Sequence, residues 1–114
     1  MQDENSRIFS KDEKRPLVIR SLRRSNIRKR VAEYLFDISP SGSYTSEIAY
    51  HIKTTPTNVI GAIRGMQSRY RQDESLIGLD LVEQMQSTGD MKVYKLTDFG
   101  KEIMESLGES RKRL

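Results

Sequence analysis

The residues in this chain best equipped for chemistry are its arginines, and the chemistry they suit is anion binding. Arg20, Arg23, Arg24, Arg28, Lys29 and Arg30 all fall within residues 17–30, a stretch without a single acid. These six charges exceed the formal net charge of the whole chain, which is +4 at pH 7. Neutralising a polyanion requires Lys and Arg concentrated in this way. A solvated helix face would have the same composition, so the cluster must be weighed with the elements that carry it. Catalytic chemistry finds no comparable support. The 114 residues include no cysteine and one histidine, His51, and no nucleophile–base pair or glycine-rich phosphate loop is visible. This excludes disulfides, thiol nucleophiles and Cys- or His-rich metal sites. The expectation is a non-enzyme with no cofactor, no metal and no small-molecule ligand. His51 reads as a surface or partly packed residue, the scattered tyrosines 34, 44, 50, 70 and 94 as edges of a core, and Asp73-Glu74 as a solvated loop.

Hydrophobic periodicity supplies the elements. Residues 1–16 are polar, with equal numbers of acids and bases, and Pro16 closes them, so a flexible tail is expected there. Leu17-Val18-Ile19 can begin a strand, serve as an arm or join the first helix. Ile27, Val31, Tyr34, Leu35 and Ile38 recur at helical spacing and predict a helix over about 25–38, with a start as early as Ser21 also open because Leu22 and the arginines are good helix formers, and Ser39-Pro40-Ser41-Gly42-Ser43 breaks it. A second, short helix fits Thr45 to about Lys53, with Ser43 or Thr45 as its cap and Ile48, Ala49 and Ile52 inward. The third has the clearest start: Thr55 at the N-cap, Pro56 at the first helical position, then Val59, Ile63, Met66 and Tyr70 on one face. That pattern predicts a helix over about 55–70. Only a tight turn near Thr54 separates these two helices, which is a helix-turn-helix signature. Residues 81–86 and 92–96 read as strands joined through Ser87-Thr88-Gly89-Asp90. Thr97 then caps a last helix with Phe99, Ile103, Met104 and Leu107 on one face, Gly108 is its expected stop, and residues 109–114 form a basic tail.

The expected fold is mainly α with a small antiparallel hairpin (α+β): a three-helix core, a β-wing and a C-terminal helix, occupying 17–108. In that order the motifs resemble the small single-domain winged helix-turn-helix transcriptional regulators frequent in archaea. The likeness rests on Ser46-Glu47-Ile48-Ala49, on Thr55-Pro56-Thr57-Asn58-Val59, on Gly65-Met66-Gln67-Ser68-Arg69-Tyr70, and on Leu81-Val82-Glu83 through Val93-Tyr94-Lys95-Leu96-Thr97-x-x-Gly100. It covers about residues 21–108. The resemblance implies a cytoplasmic regulator that reads double-stranded DNA, usually as a homodimer. The last helix, the arm at 17–24 or the tail at 1–16 are the segments able to supply dimer contacts.

In such a domain the third helix enters the major groove. With Val59, Ile63 and Met66 inward, the outward set is Thr57, Asn58, Gly61, Arg64 and Ser68. Asn58 suits adenine, Arg64 guanine or a phosphate, and Thr57 a phosphate or a thymine methyl. The wing offers Thr88 and Lys92 to the backbone, and Arg24, Arg28 and Arg30 of the basic cluster are expected outside, holding phosphates. The alternative is a protein-interaction winged-helix module in a transcription or other nucleic-acid complex. Ile60 and the glycines at 61 and 65 lean toward that alternative, and the arginines lean against it. No apolar run approaches the ~20 residues of a membrane helix, and residues 1–16 lack the apolar segment of a secretory signal.

Overall fold

The computed structural model describes residues 11–65, 74–85, 89 and 91–113, with side-chain surroundings for 12–65, 74–85, 89 and 91–108. Helix α1 spans Lys11–Arg24, α2 Asn26–Ile38, α3 Thr45–Ile52, α4 Pro56–Arg64 and α5 Asp98–Arg113. Strands β1 (Ser43–Tyr44), β2 (Val82–Met85) and β3 (Val93–Leu96) form one antiparallel sheet in the order β1-β3-β2. The chain is therefore mainly helical with a small antiparallel sheet.

The elements follow from local signals. Ser25 caps α2, its Oγ accepting from the Arg28 N–H at 3.2 Å. Val31, Ala32 and Leu35 on this helix are completely buried. Thr97 caps α5 in the same way, accepting from the Gly100 N–H at 2.9 Å, and its hydroxyl lies 2.6 Å from the Asp80 carbonyl oxygen. Strand β3 puts Tyr94 and Leu96 into the core and leaves Val93 and Lys95 half-buried, as alternation requires. Gly100 is required by close approach: a Cβ there would collide with the Leu81 carbonyl oxygen and press on Leu96 Cδ2 at 3.2 Å.

Several expectations change. Residues 11–16 are not tail but the first turns of α1, with Asp12 and Glu13 at its positive end and Arg23 and Arg24 at its negative end. Pro16 removes one intrahelical donor, yet Val18, Ser21 and Leu22 bury one face of the same helix, and this packing holds it. Leu17-Val18-Ile19 thus belongs to a helix. At the other end Gly108 does not stop α5, which runs on to Arg113. Strand β1 was not expected: two residues carry no alternation, and only pairing with β3 (Ser43 opposite Tyr94, Tyr44 opposite Val93) makes them a strand. The third helix ends at Arg64 rather than near residue 70, because Gly65 turns away at φ 87°, ψ 151°. Met66 and Tyr70 lie outside the described residues.

A buried ion cluster ties these parts together. Glu74 lies between two helices, its Oε2 2.8 Å from Arg24 Nη1 and its Oε1 3.3 Å from Arg28 Nη2. The Ser21 hydroxyl donates to the Glu74 carbonyl at 2.6 Å, and Arg28 Nε donates to the Ser21 carbonyl at 3.2 Å. Glu74 is 8% and Arg28 4% exposed. The expectation of a solvated loop at Glu74 is thereby corrected, since its partners are remote in sequence. Just beyond it, the Leu76 and Ile77 N–H groups donate to the Ala62 and Ile63 carbonyls at 3.0 and 2.9 Å, closing the C-terminal end of α4.

Two stability predictions follow from this packing. Glu74→Ala leaves Arg28 buried without a counter-charge and is expected to cost about 3–5 kcal/mol, whereas Arg24→Ala at the exposed rim costs less than about 1 kcal/mol. Urea unfolding followed by circular dichroism measures both, and equal losses would contradict the assignment. Gly100→Ala is expected to lower the melting temperature by several degrees, on the order of 1–3 kcal/mol of overpacking, while Gly108→Ala, whose Cβ meets nothing within 4 Å, does not lower it.

Candidate nucleic-acid interface

Helices α3 and α4 are separated by three residues, and each has a structural duty. Lys53 ends α3 in the left-handed conformation (φ 60°, ψ 54°), its N–H donating back to Tyr50 O at 3.3 Å. The Thr54 N–H donates to Ala49 O at 2.9 Å, and Thr55 accepts from the Asn58 N–H at 3.2 Å as the N-cap of α4. Pro56 occupies the first helical turn, where its missing N–H costs nothing. The start of α3 is held by Glu47, which accepts from the Tyr44 N–H at 3.2 Å and from the Ser43 hydroxyl at 2.9 Å. Tyr44, between the two residues expected as caps, is the N-cap. The Arg30 guanidinium donates to the Ile52 carbonyl at the C-terminus of α3.

Helix α4 buries Val59, Ala62 and Ile63 completely. Thr57, Ile60 and Arg64 are exposed, at spacing i, i+3, i+7, and so line a single strip along the helix. Asn58 sits half-buried at the edge of that strip, its Nδ2 donating to Thr54 Oγ1 at 3.0 Å, so part of its amide is spent on the turn. Gly61 is buried and does not belong to the outward set. The buried arc is wider than the apolar stripe because helix α4 packs against both α2 and α3. Ser68 and Thr88, also expected in the interface, lie outside the described residues. Lys92 is exposed on the turn side of the β2–β3 hairpin, immediately before β3.

The basic cluster divides into an inner and an outer part. Arg28, expected outside, is buried against Glu74 because α1 and residues 74–80 cover that side of α2. Arg24 is more than half exposed but holds the other carboxylate oxygen, and Arg30 is half-buried in its contact with α3. Arg20, Arg23 and Lys29 are exposed. Ile60 completes the strip and fell outside the expected DNA-contact set because it is apolar, although its position three residues after Thr57 puts it on the same line. Tyr50, at 79% exposure, is no core edge. No group of three or more potential metal-ligating side chains occurs among the described residues.

With this geometry in view, comparison with known proteins places the chain. The sequence model of the EarA-like family matches residues 18–107. The chain belongs to the EarA-like family. It is also similar to an uncharacterized protein of Methanocaldococcus jannaschii, 46% identical over 92 residues that cover 81% of this chain and 82% of the relative. The family match begins inside α1, so the C-terminal part of that helix, with Arg20, Arg23 and Arg24, lies within the matched region of this EarA-like chain. No helix among the described residues is long and apolar enough to cross a membrane.

The α4 cap generates a direct prediction. Thr55→Ala removes the hydroxyl that receives the Asn58 N–H and is expected to cost about 1 kcal/mol, Thr55→Ser much less. Thermal unfolding of the two variants checks it, and identical losses would remove the cap from the account.

Proposed function

We propose that this EarA-like protein is a transcriptional regulator of the winged helix-turn-helix kind that binds duplex DNA. In this reading α4 enters the major groove and the β2–β3 hairpin lies along the backbone as a wing. The observation that carries the reading is the strip Thr57–Ile60–Arg64. It combines a hydroxyl, an apolar side chain and a guanidinium on the exposed line of a short helix whose other sides are packed and whose both ends are capped. These side-chain types match base edges and thymine methyls. Arg20, Arg23, Lys29 and Lys92 supply exposed positive charge for phosphates. Arg28 leaves that list, because its charge is engaged inside the fold.

Ile60, 40% exposed in the middle of the strip, supports a second reading: an interaction module that presents the same helix to another protein. Fluorescence anisotropy with mixed-sequence duplex DNA at two salt concentrations separates the two. Binding that weakens steeply with salt is expected; no binding at low salt would overturn the DNA reading and leave the interaction module. Arg64→Ala is expected to change the ranking of duplex sequences at a cost of about 1–3 kcal/mol on the preferred one, whereas Arg23→Ala weakens all sequences alike. Uniform effects from both would remove Arg64 from base reading.

A further inference from the structure

A second feature of the helix-turn-helix remains outside both the core and the α4 strip. Tyr50 is the most exposed of the large hydrophobic side chains described, at 79%, yet its ring is not loose. It meets His51 edge-on at a centroid distance of 5.3 Å and an interplanar angle of 81°. His51 in turn stacks on Tyr34 of α2 at 5.0 Å and 18°. Three rings from two helices thus hold a phenol outward at the end of α3. Core formation does not explain this, because burying the ring would stabilise the fold more than presenting it to water. Paired aromatic rings do restrict one another's orientation, in the edge-to-face and offset geometries seen here. One turn further on comes Lys53, exposed in the left-handed conformation that ends α3. Next comes exposed Thr57, in the first turn of α4.

We propose that Tyr50 and Lys53 form a phosphate-binding pair for the DNA backbone, with Tyr34 and His51 as the positioning residues that hold the Tyr50 phenol in place. The proposal rests on the DNA reading above. When the second helix of a helix-turn-helix lies in the major groove, the first crosses the sugar–phosphate backbone. The outward groups at the end of α3 then meet phosphates, and a hydroxyl donor beside an ammonium is the pair such oxygens recruit. A protein partner would instead favour an apolar surround for Tyr50, whereas Ala49 and Ile52 beside it in the chain are buried and the exposed residues are His51 and, at the helix end, Lys53.

The test uses the full chain and a mixed-sequence duplex of about two helical turns, with anisotropy read over a range of salt. Tyr50→Phe keeps the ring and removes only the hydroxyl; it is expected to weaken binding by about three- to tenfold, equally for all sequences, with the salt dependence unchanged. Lys53→Gln is expected to weaken binding and to reduce the slope of log K against log salt by about 0.9, the loss of one phosphate contact. His51→Ala, which frees the ring but leaves both contact groups, is expected to weaken binding less than Tyr50→Phe and to leave the salt slope unchanged. Melting curves confirm that each variant is folded. Wild-type affinity in both Tyr50→Phe and Lys53→Gln overturns the pair while leaving the DNA reading standing. Losses at Tyr50 confined to one duplex sequence overturn the phosphate assignment. Failure of the wild-type protein to bind any duplex at low salt overturns the pair together with the reading on which it rests.

Discussion

One carboxylate, Glu74, holds the architecture in register. Its two oxygens are shared between Arg24 of α1 and Arg28 of α2, and its carbonyl accepts from Ser21. A charge that is almost wholly buried must have partners of this kind, because desolvation without them costs several kcal/mol. The arrangement also allows few alternatives. Arg28 is itself buried, so its charge depends on Glu74 in turn. From that anchor the chain closes the end of α4 through Leu76 and Ile77. It then presents the Leu81 carbonyl to the Thr97 N–H at the head of α5. The pose of α4, and with it the direction of the Thr57–Ile60–Arg64 strip, depends on a pairing between elements that are distant in sequence.

This has a consequence for the meaning of the basic cluster. Six cations within fourteen residues look like a single electrostatic device. In the fold they serve two ends. Arg24, Arg28 and Arg30 join helices to one another or to residues 74–80, while Arg20, Arg23 and Lys29 face solvent. Arginine suits both tasks, since the planar guanidinium makes several directed hydrogen bonds and remains charged when partly buried. The outer group still forms a positive edge, though a smaller one than the composition suggests.

The boundaries of α3 and α4 are set by short-range chemistry. Ser43, Tyr44 and Glu47 secure the start of α3, Lys53 ends it, and Thr55 and Pro56 start α4 within three residues. The short helices would not persist in water as isolated peptides. They are held by Ile48, Ile52, Val59 and Ile63 against α2, and Arg30 fixes the C-terminus of α3 to the same helix.

Most of what sequence reasoning could reach depends on neighbours within one or two turns. The spans of α2, α3 and the hairpin, the Thr55 and Thr97 caps, and the inward stripe Val59–Ile63 were all legible, because periodicity and capping are local. So were Thr57 and Arg64 as outward residues. Tertiary structure alone decided the rest. Gly61 is buried because two helices flank α4, and Arg28 because α1 lies over it; Glu74 becomes an anchor because its arginines come from 46 and 50 residues away. Two-residue β1 exists only as a partner of β3. A sequence shows which residues can pair or be buried, whereas the partner and the covering element are set by which helices pack together, and in this protein that packing turned half of an apparent binding patch into the joints of the fold.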